Sequence, residues 1–138
     1  MPVTLQGELP LSKEAVERLW QAVVDLRSIQ DDLVAVASVS EEEIRALNAK
    51  YRDNDKSTNV LTFSYGEGEH DVVISLGVAR REAQERKTAL EDYVALLLVH
   101  AFLHAAGLDH EQSDTTAREM NEAEQQALQK AGFASLSL

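Results

Sequence analysis

The chain has 138 residues and a formal net charge of −11, and it contains no cysteine. The absence of cysteine excludes disulfides and thiolate metal sites, so any bound metal has to be held by His, Asp or Glu side chains. The negative charge argues against broad, nonspecific nucleic-acid binding, which depends on Lys and Arg neutralising phosphates, although a local basic groove remains compatible with it.

Length and composition indicate a single domain over residues 1–138. No charged segment followed by an apolar stretch opens the sequence, which argues against a signal peptide. The longest apolar run, residues 93–108, is interrupted by two histidines and is shorter than the ~18–20 residues of a membrane-spanning helix. We therefore expect a soluble, cytoplasmic protein without a membrane partner.

The first half of the chain predicts alternating strands and helices. Residues 3–5 predict a short strand, and Ser12 caps a helix whose apolar residues recur at helical spacing. Residues 33–39 alternate apolar and small side chains, which is typical of a strand. Ser40 followed by Glu43 forms a capping box that opens the next helix.

The second half predicts a strand pair followed by helices. Residues 59–65 and 71–76 read as antiparallel strands around a polar loop, and helices are expected over 79–86, over 90–106 and from 114–116 onward. The segment 90–106 is apolar on nearly every side, which marks a buried central helix. We expect an α+β fold, with a small mixed β-sheet, helices packed on it, and metal ligands on that central helix.

Three of the four histidines follow the pattern His100-x3-His104-x2-Gly107-x2-His110. Residues four apart on a helix share one face, so His100 and His104 can direct both imidazoles at one point. Gly107 is expected to end the helix, because glycine adopts the left-handed conformation at little cost, and the chain then returns His110 toward that point. Three neutral imidazoles leave a fourth tetrahedral position open, as a catalytic zinc requires. The pattern predicts one Zn²⁺ ion.

Ordinary core or helix-end histidines are the alternative interpretation. Two histidines on a buried helix would cost desolvation free energy without a shared purpose, which favours the metal site. The spacing is that of the long zinc-protease motif HExxHxxGxxH, but Ala101 stands where a metalloprotease has its glutamate base, so a peptidase is disfavoured. His70, alone in a predicted loop, is expected to be a surface residue rather than a ligand.

Two longer segments carry a family resemblance. Residues 47–63 are similar to the stretch LNxxYRxxDxPTDVLSF, and residues 99–111 to the stretch VHGxLHLxGYDHE, both of the YbeY family of bacterial ribosomal RNA maturation factors. Residues 71–75 match the family's GDIVIS strand, and Met120 with Glu124 matches a following helix. Four positions depart from the family pattern: Ser57 for proline, His70 for glycine, Ala101 for glycine and Leu108 for tyrosine.

The resemblance implies a zinc-dependent, single-strand-specific endoribonuclease that acts in small-subunit ribosomal RNA maturation and ribosome quality control. Its partners would be single-stranded ribosomal RNA and the ribosome or a ribosomal protein. The zinc ligands would be His100, His104 and His110, and the catalytic residues would be Arg52 and His100. A guanidinium can fork onto two phosphate oxygens, which suits Arg52 to this role.

The sequence is also compatible with two other functions. One is a different metallohydrolase of unknown substrate, and the other is a non-catalytic ribosome-assembly factor whose metal only organises the fold. An open coordination position argues against the second. The proton acceptor of the reaction also stays open, because Ala101 cannot move a proton.

Overall fold

The structure, a computed structural model, describes residues 3–28, 32–65, 68–107 and 114–133. Strands and helices alternate in the first half of these ranges, and helices close the second half. The elements are β1 (Val3–Gln6), α1 (Lys13–Arg27), β2 (Leu33–Val39), α2 (Glu41–Arg52), β3 (Val60–Tyr65), β4 (Glu69–Ser75), α3 (Leu76–Glu85), α4 (Leu90–Ala105) and α5 (Asp114–Lys130).

The strands form one mixed sheet in the order β1-β2-β4-β3. Strand β2 runs parallel to both β1 and β4, whereas β3 runs antiparallel to β4. Strand β3 therefore lies at one edge of the sheet and offers a free side to other groups. This arrangement confirms the α+β class, the small mixed sheet and the antiparallel pair expected from the sequence.

Helix α4 occupies the centre of the core, as its apolar sequence predicts. Its residues from Tyr93 to Val99 are at most 2% exposed, and Phe102 is fully buried. Helices α1, α3 and α5 and strand β3 all pack against it, and Trp20 of α1 meets the Phe102 ring edge-on with centroids 5.2 Å apart. A helix held on so many sides is a rigid base for whatever side chains it carries.

The two predicted serine caps, at the starts of α1 and α2, are confirmed. The Ala15 amide donates to Ser12 Oγ over 3.1 Å, and the Glu43 amide donates to Ser40 Oγ over 3.1 Å. The Ser40 hydroxyl in turn donates to the Glu43 carboxylate over 3.2 Å, in place of the backbone bond that usually completes a capping box.

Two element starts differ from the sequence prediction by two or more residues. Strand β4 begins at Glu69, two residues before the expected start, and α3 begins at Leu76, because Ser75 accepts a 3.3 Å bond from the Val78 amide and so caps the helix early. Across the described ranges, no single helix is long and apolar enough to span a membrane; α3 and α4 meet that measure only as a pair bent by 116°.

Candidate active site

The last turns of α4 bring two histidines together. His100 and His104 lie four residues apart, and their Nε2 atoms are 3.1 Å from each other. Their rings meet at 72° with centroids 4.6 Å apart. Two nitrogens bound to one tetrahedral zinc at the usual bond length would be about 3.3 Å apart. The spacing of this pair therefore suits a shared metal ion.

Glu124 of α5 is hydrogen bonded to one member of this pair, His100. Its Oε2 atom lies 2.5 Å from Nδ1 of His100, and the residue is only 2% exposed. Because a carboxylate accepts the hydrogen bond, Nδ1 of His100 carries the proton and the lone pair of the neutral ring resides on Nε2, the atom that faces His104. In many metal sites a carboxylate accepts a hydrogen bond from the ring nitrogen of the histidine that does not bind the metal. The two histidines with this carboxylate therefore fit a zinc ion.

Glu124 was not predicted as a site residue; the family resemblance includes it only as part of a helix match. The sequence nevertheless contains a sign of its role, because Glu124 shares the core-facing side of the helix with the apolar residues Met120, Ala127 and Leu128. A buried carboxylate needs a partner, and a histidine of the metal motif was available to provide it.

The third predicted ligand, His110, lies outside the described residues. The helix does end where expected, since Gly107 has a positive φ of 93°. Within the described ranges, no group of three His, Cys or acidic side chains is placed to hold a metal ion. The described part of the site thus supplies two of the three predicted nitrogens, together with the carboxylate that orients one of them.

Arg52 lines the same cleft as the two histidines. It is the last residue of α2, its guanidinium donates to the backbone carbonyl of Thr62, and it stacks over the Phe63 ring at 5.3 Å. The turn after α2 is held by Asn48, a 4% exposed side chain that donates to the Lys56 carbonyl over 3.0 Å. The predicted catalytic arginine is therefore anchored to strand β3 beside the histidine pair.

One open cleft of about 740 Å³ contains all of these groups. Its lining comes from residues 59–65, from Tyr51 and Arg52 of α2, and from His100, Ala101 and His104 of α4. The Thr62 hydroxyl donates to the Ala101 carbonyl over 3.4 Å and joins β3 to α4. Residues more than 40 positions apart in sequence are thus brought into one concave surface.

Aromatic rings line the α2 side of this cleft. Tyr51 and Tyr65 are 57% and 54% exposed, although large apolar side chains are usually buried. Tyr51 meets Phe63 edge-on with centroids 5.5 Å apart, and Lys50 lies 5.1 Å from the Tyr51 ring. A hydrogen bond to Asp71 fixes Tyr65 and raises the pKa of its hydroxyl above the ordinary value. These rings are held in place yet left open to solvent.

A second polar network supports the start of β3. Glu82 accepts hydrogen bonds from the Tyr93 hydroxyl over 2.8 Å and from the Asn59 amide over 2.9 Å. Burial, and then the hydrogen bond to Glu82, raises the pKa of Tyr93 to about 12. The network links α3 and α4 to Asn59 at the mouth of the cleft.

The expectation that His70 is a surface residue is wrong. Because β4 starts early, His70 belongs to the strand, and the alternation of side chains places it on the same buried face as Val72 and Ile74. It is 7% exposed; its Nδ1 lies 2.8 Å from Ser64 Oγ, and its Nε2 lies 2.7 Å from Asp32 Oδ2.

Comparison with known proteins gives a consistent match. The family model described as "Endoribonuclease YbeY" matches residues 4–132. A protein of that name from Paracidovorax citrulli is 45% identical over 127 residues, which cover 90% of this chain and 81% of that protein. The same name is carried by a Cupriavidus pinatubonensis protein that is 45% identical over 108 residues, or 75% of this chain.

The chain spans about half the length of the two Cupriavidus relatives first matched, 53% and 54% of each. Among solved structures, the solution structure of a Thermotoga maritima protein superposes with a TM-score of 0.65 at 30% identity, over 94% of this chain and 88% of that one. The fold described above is therefore shared with an experimentally solved protein.

Proposed function

Because the chain belongs to the YbeY family, we propose that it is a zinc-dependent, single-strand-specific endoribonuclease of small-subunit ribosomal RNA maturation and ribosome quality control. One arrangement carries the proposal. The Nε2 atoms of His100 and His104 lie 3.1 Å apart, Glu124 holds His100, and Arg52 lines the same cleft.

Each residue then has a defined task. His100 and His104, with His110 as the third ligand, would hold the zinc ion, and Glu124 fixes the ring of His100. When bound, zinc makes hydroxide available near neutral pH by lowering the pKa of water. Arg52 binds the scissile phosphate and stabilises the charge that develops on it, because its planar fork matches two phosphate oxygens.

The exposed aromatic rings support a single-stranded substrate. Tyr51 and Tyr65 line the cleft, and each is more than half exposed. Unpaired bases stack on such rings, whereas the bases of a duplex are already stacked on each other. An RNA strand lying along the cleft can therefore place its bases on the tyrosines and its phosphates near Arg52.

The net charge of −11 supports binding to a partner in addition to the RNA. Few cations are available to neutralise phosphates, so affinity for RNA alone is expected to be weak and strongly dependent on salt. The ribosome or one of its proteins, in the cytoplasm, would supply the remaining affinity. Tight binding of naked single-stranded RNA at physiological salt would contradict this part of the proposal.

The central test combines metal analysis with RNA cleavage. The purified protein should contain about one equivalent of divalent metal and should cleave a short labelled single-stranded RNA, and a chelator should abolish the cleavage. His100→Ala and His104→Ala should remove both properties, whereas His70→Gln, a matched change at a histidine away from the pair, should keep the metal.

The outcomes separate the alternatives. Metal without RNA cleavage would indicate either a metallohydrolase of another substrate or a non-catalytic assembly factor, and hydrolysis of small esters or peptides would distinguish those two. Full metal content in a His100→Ala/His104→Ala double variant would overturn the assignment of the metal site.

A further inference from the structure

Three polar side chains form a chain of hydrogen bonds that ends in the cleft. Asp32, just before β2, bonds Nε2 of His70 on β4, and Nδ1 of His70 bonds Ser64 on β3. His70 is buried and the Asp32 side chain is 19% exposed, whereas Ser64 is exposed and lines the cleft. Ser64 is therefore the member of the chain that a ligand can reach.

The direction of these bonds follows from the chemistry of the groups. An ionised carboxylate only accepts, so when the imidazole of His70 is neutral its one proton lies on Nε2, toward Asp32. Nδ1 is then a bare acceptor, and the Ser64 hydroxyl donates its proton to it. A serine hydroxyl normally rotates and can either donate or accept, but here only the oxygen lone pairs of Ser64 remain available to the cleft.

The pleat of β3 determines which part of an RNA strand meets Ser64. Thr62 and Ser64 share the face that packs toward α4 and its histidines, since Thr62 bonds the Ala101 carbonyl. Phe63 and Tyr65 point to the opposite face, where Phe63 contacts Tyr51. Bases stacked on the tyrosines thus leave the sugar-phosphate backbone on the side of Ser64.

We propose that Ser64 accepts a hydrogen bond from a ribose 2′-hydroxyl and so makes the cleft selective for RNA over DNA, with His70 and Asp32 as positioning residues. The inference rests on the proposed ribonuclease function and adds the group by which the substrate class is recognised. On the sugar side of an RNA strand, the 2′-hydroxyl is the hydrogen-bond donor that DNA lacks.

The position of Ser64 also indicates which ribose it reads. Ser64 lies two residues beyond Thr62 along the strand, a step of about 7 Å. Thr62 is beside Ala101 and the histidine pair, so Ser64 meets the ribose of a nucleotide neighbouring the scissile phosphate. The Thr62 hydroxyl is half-buried and is already bonded to Ala101, which leaves Ser64 as the exposed hydroxyl of this row in the described part of β3.

The test measures binding by metal-free protein, so it does not depend on cleavage. A fluorescent single-stranded RNA, the DNA of the same sequence, and RNAs with one 2′-deoxy nucleotide at successive positions are titrated at low salt. Wild type should prefer RNA, and one 2′-deoxy position should account for most of the preference. Ser64→Ala should weaken RNA binding about three- to tenfold, the range of one hydrogen bond, and leave DNA binding unchanged.

Two further variants separate positioning from mere structural damage. Ser64→Thr keeps a hydroxyl and should keep the preference for RNA. Asp32→Asn replaces a carboxylate that only accepts with an amide that can also donate, so the proton of His70 is no longer fixed on Nε2. The ratio of RNA to DNA affinity should then fall, whereas a damaged fold would lower both affinities and leave their ratio as it is. Equal loss of RNA and DNA binding in Ser64→Ala, or no change at all, would overturn the inference while RNA cleavage by the wild type still supported the proposed function.

Discussion

The Nδ1 atom of His100 lies 2.5 Å from Oε2 of Glu124, and that contact joins α4 to α5 beneath the histidine pair. We expect Glu124→Gln to lower metal affinity about 10- to 100-fold, because an amide keeps the shape of the side chain but loses the charge that orients the imidazole. Competition with a fluorescent zinc chelator measures this.

Glu122→Gln is the matched control for that change. Glu122 is exposed on the same helix, so the metal affinity of the Glu122→Gln variant should equal that of wild type. Metal affinity of the Glu124→Gln variant equal to that of wild type would show that the carboxylate does not orient the ligand.

Arg52→Lys keeps a positive charge but loses the planar fork of the guanidinium. We expect RNA cleavage to fall by about two orders of magnitude, as for removal of a donor that stabilises transition-state charge, with metal content and Tm nearly unchanged. Arg45→Lys is the control, because Arg45 lies on the same helix and pairs with Asp55 at the surface. Loss of metal or of folding in Arg52→Lys would show Arg52 to be structural.

Tyr51→Ala removes one of the proposed stacking surfaces. Affinity for single-stranded RNA should fall roughly 5- to 150-fold, corresponding to about 1–3 kcal/mol per stacked base, and Tyr51→Phe should retain it. Quenching of 2-aminopurine placed in the RNA reports stacking directly. Because Tyr51 is 57% exposed, its loss should barely change Tm; unchanged quenching in Tyr51→Ala would contradict the stacking role.

Cleavage is expected to leave no 2′,3′-cyclic phosphate. Cyclisation needs a base at the 2′-hydroxyl of the scissile nucleotide, yet among the described histidines His100 and His104 are assigned to metal, and His70 is buried behind Ser64 and does not itself line the cleft. An RNA with a single 2′-deoxy nucleotide 5′ to the scissile bond should therefore still be cut. Mass spectrometry of the product ends decides this, and cyclic ends or a complete block would contradict direct hydrolysis.

We expect the free energy of unfolding to fall at high pH because of the Tyr93 hydroxyl. Its pKa is raised from 10.0 to about 12 in the folded protein, so folding favours the protonated form. The stabilisation is fully present below pH 10 and is lost as pH rises toward 12. Tyr93→Phe should flatten the dependence of Tm on pH in that window; equal slopes for both proteins would show that Tyr93 does not contribute.

The sequence predicted those features that depend on local pattern. Apolar and small side chains alternate over residues 33–39, and β2 has the same range. Residues 90–106 are apolar on nearly every side of the helix, which correctly indicated a central, buried helix. The start of β4 was missed because Glu69 and His70 are polar, although the network with Ser64 and Asp32 satisfies the buried imidazole. No local pattern reveals such a partner 38 residues away.

The candidate site likewise combines local features, which the sequence predicts, with tertiary contacts, which it does not. The i, i+4 spacing of His100 and His104 is a local property of one helix, so their convergence could be predicted from the sequence. The contact between His100 and Glu124 joins residues 24 positions apart, and the bond from Arg52 to Thr62 depends on how α2 meets the sheet. These contacts are set by tertiary packing, which periodicity does not report.

The edge position of β3 has a consequence for the behaviour of the protein in concentrated solution. An unpaired strand edge invites a strand from a second molecule, and charged side chains placed over such an edge oppose that pairing. Arg52 occupies the outward carbonyl of Thr62 and so covers the middle of this edge. A small neutral residue at position 52 would uncover it, and the resulting variant would be both inactive and prone to self-association.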